Sequence, residues 1–304
     1  MSDLPEFSNA ADTRARNNAR AGGGGTAGPL VSIVIPNHNY AGYLPGCLDS
    51  IRAQNMDTRC LEVLFVDDAS TDGSLDLARR LVPKMDLAAW RVFGVPRAGR
   101  PGPVRNAGLA QARGRFLLTL DPDDELLPDF LPQTVRALEA GADVAYPDYL
   151  REEAGHSGPE SATAHPVCAV PLRDYHKLLL ANQNILPPTA LFRRDLWERG
   201  ARFRHATLYE DWDFWIQLAL LGARFAHVTE PLYLHRAHAG SFSAMAHADD
   251  DRSKARLVVD NPVFFPSWTR TWARGVLCGA SASGSMGRGV IPVLPEHAAR
   301  HTPR

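Results

Sequence analysis

Leu61-Glu-Val-Leu-Phe-Val-Asp-Asp-Ala-Ser-Thr-Asp-Gly73 decides the fold. Its first six residues are an apolar run of strand length carrying a single charge, and the run stops on Asp67-Asp68. Ser70, Thr71 and Asp72 then offer side-chain oxygens to cap a helix whose Leu75, Ala78, Leu81 and Val82 recur on one face. Upstream, Leu30-Val-Ser-Ile-Val-Ile35 has the same character, closes with Pro36-Asn-His-Asn39, and precedes Leu44, Cys47, Leu48 and Ile51 at helical spacing. Downstream, Trp90 to Val95 predicts a third strand and Pro103 to Ala112 a helix stopped at Gly114. Phe116-Leu-Leu-Thr-Leu120 predicts a fourth strand, which runs into Asp121-Pro-Asp-Asp124. Strands and helices alternating through short links make a parallel sheet flanked by helices. Ligands of such sheets bind outside the carboxyl ends of the strands, so the three polar strand ends predict one shared rim.

Past Pro128 the pattern continues with a helix of Leu131, Val135 and Leu138 and a strand from Asp143 to Tyr146. A surface loop over residues 151–166 follows, and structure resumes from Leu172 to Leu180. Thr189-Ala-Leu-Phe192 reads as a strand, Trp212 to Leu221 as a helix, and Phe225 to Val228 as a strand. Periodicity fades from about Ala244, where Trp268 and Trp272 read as packing residues. Residues 1–29 show no hydrophobic period and end in four consecutive glycines, which predicts a disordered leader. The expected division is therefore 1–29, a domain over 30–245, and an extension of unassigned role over 246–304.

Composition narrows the function by exclusion. The 304 residues carry 33 basic and 34 acidic side chains, so no whole-molecule field favours nucleic acid. No window approaches the roughly 18 consecutive apolar residues of a membrane span. The four cysteines are scattered without metal or disulfide spacing, which suits a reducing, cytoplasmic setting.

Asp121 and Asp123 form a D-x-D at a strand end, and carboxylate oxygens there suit hard Mg²⁺ or Mn²⁺; the same acids would equally serve as a capping turn. Asp68 can accept from a base edge or a ribose. Glu210 and Asp211 open a helix among acids and aromatics, a setting that raises a carboxyl pKa toward general-base use. They would also stabilise the helix N-terminus through its dipole, and Asp213 competes as the base. Arg97-Ala-Gly-Arg-Pro-Gly102 is basic enough to touch phosphate and equally suits a solvated loop.

Taken in order, Val31-Ser-Ile-Val-Ile-Pro-Asn-His-Asn39, Leu61 to Gly73, Val104-Arg-Asn-Ala-Gly108, Gly114 and Leu120-Asp-Pro-Asp-Asp124 resemble the family 2 glycosyltransferases. Tyr209-Glu-Asp-Trp-Asp-Phe-Trp215, Glu230-Pro-Leu-Tyr-Leu-His-Arg-Ala-His238 and Ser241-Phe-Ser243 continue the resemblance, which spans about residues 30–245. It implies the α/β GT-A fold of nucleotide-diphospho-sugar transferases, with a mostly parallel central sheet flanked by helices. It also implies a nucleotide-diphosphate sugar donor, with uridine the weighted choice, a divalent metal, and inversion at the anomeric carbon. By position, Pro36, His38, Asn39 and Asp68 would hold the nucleoside, and Arg105 would lie near the nucleotide or its phosphates. Asp121 and Asp123 match the ribose- and metal-binding acids, Asp124 the usual extra acid, and Asp211, beside Glu210, the general base. His238 would approach the diphosphate or its metal, and Arg236 would add charge to the same leaving group. His38 stands where relatives commonly have Tyr, and His235 carries no assigned role. The acceptor would be a sugar, a lipid-linked molecule or a small molecule, the lipid-linked case placing the protein at the inner membrane face. Two rival readings are a metal-dependent nucleotidyltransferase and a non-catalytic nucleotide-sugar-binding scaffold.

Overall fold

A computed structural model describes residues 28–153, 166–237, 250–280 and 288–293. The expected leader therefore lies outside the described residues except for its last two positions. So do most of the 151–166 loop, His238, Ser241 to Ser243, and residues 281–287.

The strands β1 (Val31–Asn37), β2 (Leu61–Asp67) and β4 (Phe116–Thr119) are buried along their whole length. Layers on both faces explain why they read as continuous apolar runs rather than alternating ones. Side chains nevertheless alternate: Ile33 and Ile35 of β1 point into one core, and Val34 into the other. The single charge of β2, Glu62, is fully buried and satisfied, accepting from Ser32 Oγ (2.6 Å), Arg113 N (2.8 Å) and Arg113 Nε (2.9 Å). β3 (Ala89–Gly94), β2, β1 and β4 pair in that order, all parallel.

Beyond β4 the sheet becomes mixed. β8 (Leu191–Arg193) runs antiparallel between β4 and β6 (Val144–Glu153). β9 (Phe225–Ala237) runs parallel to β6 with register shifts around Asp148, and β5 (Glu125–Leu126) and β7 (Val167–Val170) add short antiparallel edges. One core packs α1 (Leu44–Arg52), α2 (Ser74–Leu81) and α4 (Phe130–Glu139) on the sheet. The opposite core takes α3 (Pro101–Leu109), α5 (Lys177–Asn182), α6 (Arg194–Glu198) and α7 (Glu210–Leu220).

Fading periodicity predicts no element beyond about residue 244, yet α8 (Asp250–Asp260) and α9 (Ser267–Leu277) form there. Their Ala255, Leu257, Val258, Trp272 and Ala273 join the second core. Lys254 hides the pattern, because it is fully buried yet charged and lies 2.7 Å from Asp250 and 2.8 Å from Asp251. Among the described residues, no helix is long and apolar enough to cross a membrane.

Candidate active site

The rim forms where β1 outlasts its neighbour. β1 stays paired with β2 as far as Asn37 and Asp67, whereas its ladder with β4 ends at Val34 and Thr119. Pro36, which has no N–H to donate, sits just past that point, and the chain after Thr119 is free to turn into Asp121–Asp124. Asn37 pins the two strand ends: its amide nitrogen lies 2.9 Å from Asp67 Oδ1, 3.0 Å from Ser70 Oγ and 2.9 Å from Ser74 Oγ. Asp72 accepts from Ser74 N at 2.9 Å, at the start of α2, and from Ala41 N at 2.8 Å.

His38 is held by its ring edge. Nδ1 lies 2.9 Å from the Asp68 carbonyl and Nε2 lies 3.2 Å from Asn39 Nδ2, an arrangement that a neutral ring protonated on Nδ1 satisfies. Asn39 adopts φ 63° and accepts from Thr71 N at 2.8 Å. Asp68, 2% exposed, already accepts from the Arg97 guanidinium, Ala98 N (2.5 Å) and Gly99 N (3.0 Å). A bound nucleoside would share that carboxylate with the 97–99 loop. Arg97 and Arg100 are thus engaged within the protein, the latter with the His205 carbonyl at 2.8 Å.

Arg105 is the hinge of the site. Its buried guanidinium gives Nη2 to both Asp121 oxygens (2.6 and 2.9 Å) and Nη1 to Glu210 Oε1 (2.5 Å), over the Phe203 ring. It therefore joins the D-x-D to the start of α7 rather than standing free for a phosphate. Glu210 accepts in addition from Gly102 N at 2.9 Å; burial pushes its pKa up to about 7 despite the Arg105 charge.

Asp211 and Asp213 diverge by about 200° around α7, and their surroundings differ accordingly. Asp213 is fully buried and takes the Arg204 guanidinium, Gln217 Nε2 (2.8 Å) and Asn261 Nδ2 (2.7 Å). Asp211 is half-buried and accepts from Trp212 N (2.8 Å) and Asn184 Nδ2 (2.9 Å). Burial raises its pKa. Asn184 went unassigned in the sequence, since a lone amide in a loop carries no spacing signal.

On the far side of the D-x-D, Arg236 is enclosed by Glu125 Oε1 (2.8 Å), Glu152 Oε2 (2.8 Å) and the Asp123 carbonyl (3.0 Å). It fastens β9 to the acidic turn and has little left to offer a leaving group. His235, unassigned from sequence, sits 3.1 Å from buried Asp124. Burial lowers its pKa, but the Asp124 charge outweighs this and lifts it to about 9.

Among the described residues, no group of three or more His, Cys, Asp or Glu side chains stands in metal-holding geometry. Asp121 and Asp123 do fit a hard cation of the kind that takes one or two carboxylates and fills its shell with water and substrate phosphate. Both carboxylates, after burial, push up the pKa of Tyr40 from the β1 loop, which places their charge against the same rim.

Comparison with known proteins bears on the family and the fold. The model of glycosyl transferase family 2 matches residues 32–200. The protein described as glycosyltransferase EpsH of Bacillus subtilis is 30% identical over 223 residues, spanning 70% of this chain and 62% of that relative. The crystal structure of Staphylococcus aureus TarS 1–349 with UDP-GlcNAc superposes with a TM-score of 0.62 at 22% identity, covering 77% of this chain and 66% of that one. The mannosyltransferase PcManGT of Pyrobaculum calidifontis, with GDP-Man and Mn²⁺, gives 0.57 at 19% identity, covering 86% of this chain and 77% of that one. At these identities the structural likeness is one of fold, and the fold is the GT-A type.

Proposed function

The chain belongs to glycosyltransferase family 2, and on that premise we propose that it is a glycosyltransferase making an inverting transfer from a UDP-sugar to an acceptor hydroxyl. The observation that carries this reading is the contrast at the start of α7. Asp213 is saturated by Arg204, Gln217 and Asn261, whereas Asp211 is half-buried, raised in pKa, and linked through Glu210 and Arg105 to Asp121. Asp211 takes the acceptor hydroxyl proton as that oxygen attacks the anomeric carbon. The bond from that carbon to the diphosphate oxygen breaks on the opposite side, and the nucleoside diphosphate leaves with the bonding pair. Arg105 holds Asp121 and Glu210 in place for this step, and His38, Asn39 and Asp68 line the nucleoside end. Asp121 and Asp123, with His238 from outside the described residues, would hold a divalent cation, which supplies Lewis-acid stabilisation of the diphosphate charge. The nucleotide sugars bound by TarS and PcManGT, and the Mn²⁺ of the latter, support the donor class and the metal. The acceptor is a sugar, a lipid-linked molecule or a small molecule, and the lipid-linked case is met at the inner membrane face.

Thermal denaturation with a panel of nucleotide sugars, with and without Mn²⁺, tests the donor site, since binding to the native state raises Tm by mass action. A metal-dependent rise with one donor, abolished in Asp123→Ala, is the expected result. Turnover that releases the nucleoside diphosphate separates transfer from nucleotidyl transfer, which releases pyrophosphate. Binding without turnover would support the scaffold reading instead.

A further inference from the structure

α8 divides its charges between two faces. Asp250, Asp251 and Lys254 close on one another, and Asp250 also accepts from the Tyr209 hydroxyl and from Gly289 N at 3.2 Å. Arg252 and Arg256, both exposed, and buried Ser253 turn instead toward an open cavity of ≈390 Å³, which they line with His205, Ala206 and Leu277. Arg252 and Arg256 stand one helical turn apart, so both guanidiniums overlook the same space. Arg252 has no hydrogen-bond or ion-pair partner among the described residues, and Arg256 gives only Nε to Asp260, at 3.0 Å. The remaining acids of α8 are taken by Lys254 and Tyr209. Its lining thus combines two guanidiniums, Ser253 and His205 with the apolar Ala206 and Leu277, at a size within the range of small-molecule sites.

Its location matters as much as its charge. His205 and Ala206 lie on the segment that leads into Glu210 and Asp211, and Thr207 Oγ1 anchors that segment to the Ser253 carbonyl at 3.1 Å. Arg100 holds the His205 carbonyl and immediately precedes α3, whose Gly102 N holds Glu210. The cavity therefore borders the segment that carries the chain into Glu210 and Asp211.

From this geometry we infer that the cavity is a second anion site, separate from the donor rim, which takes a phosphate group carried by the acceptor. Paired guanidiniums match the oxygens of a phosphate in bidentate fashion. The assignment to the acceptor rests on the transfer reading above; the anion site itself does not.

Calorimetric titration of the full chain with D-glucose 6-phosphate, in saturating UDP and Mg²⁺, tests it without turnover. The wild type is expected to bind the probe with the donor rim filled. Arg252→Gln/Arg256→Gln should weaken the probe about tenfold or more while UDP affinity stays within about twofold. Arg79→Gln/Arg80→Gln, an equal charge change on exposed residues of α2, should leave probe affinity unchanged. Loss of probe binding when UDP saturates, equal weakening in the α2 variant, or no binding by wild type would overturn the site. D-glucuronate binding as tightly as the phosphate would overturn the phosphate assignment. Absence of turnover with every donor would refute the transfer reading and leave this measurement intact.

Discussion

The contrast between Asp211 and Asp213 lies in their hydrogen-bond partners. Spacing leaves both open, because each is a carboxylate in the first turn of α7. Their amide partners lie far away in sequence, Asn261 for Asp213 and Asn184 for Asp211, and no local pattern announces either. The acids at strand ends, Asp121 and Asp123, were legible because strand termini are readable. Arg105 stands out in the sequence as a candidate, but nothing there announces that it bridges Asp121 and Glu210. With Asp211 as the proposed base, it must be ionised to accept a proton, and burial raises its pKa, so activity should fall on the acid side from above the ordinary Asp value of about 4. The Asn184 amide favours the charged form and so holds that pKa down. Asn184→Ala should therefore move the acid limb of kcat/KM to still higher pH, and a kcat/KM–pH profile of both proteins measures it. A limb that stays put while activity drops would mean that Asn184 only packs.

Among elements, the first half of the sheet and the end of it differ in how they are encoded. β1, β2 and β4 are single-purpose, buried on both faces, and their apolar runs say so directly. β9 changes partners along its length, pairs with β6 through register shifts and with β5 antiparallel, and contains Pro231; only its first residues look like a strand. The join of α3 to α7 is likewise invisible to propensity. A Cβ on Gly102 would lie 2.5 Å from Glu210 Oε2 and 3.4 Å from Phe203 Cβ, so the glycine is set by contact with the neighbouring helix. Propensity alone has Gly102→Ala stabilising by up to about 1 kcal/mol. Overpacking has it destabilising by about 1–3 kcal/mol, and because the displaced group is the partner of Arg105, packing should win. Urea unfolding gives the sign, and a parallel loss of activity would trace the effect to Glu210 rather than to the helix.

At the scale of the whole molecule, the sheet separates two cores, and only one of them is closed by the first 245 residues alone. α1, α2 and α4 complete the first. The second continues from Trp212 and Trp215 into Ala255, Leu257, Val258, Trp272 and Ala273 of α8 and α9. The same junction carries Asp213, whose charge is met by Arg204 and by Asn261 beyond α8. Burial of each large apolar side chain contributes about 1.5–3 kcal/mol, so three or four of them rival the 5–15 kcal/mol by which a domain is stable. Ending the chain at residue 245 would remove them, uncover the core around Trp212 and Trp215 that they pack on, and leave the buried Asp213 carboxylate without its amide partner. Such a chain is expected to lose its cooperative thermal transition and to expose apolar surface, which circular dichroism and dye binding would register. A truncated chain that instead melts cooperatively within a few degrees of the full one, and still binds UDP, would make α8 and α9 an appendage. Retention of the transition with loss only of sugar-phosphate binding would be a third result, and it would place the helices in acceptor recognition without a share in the core.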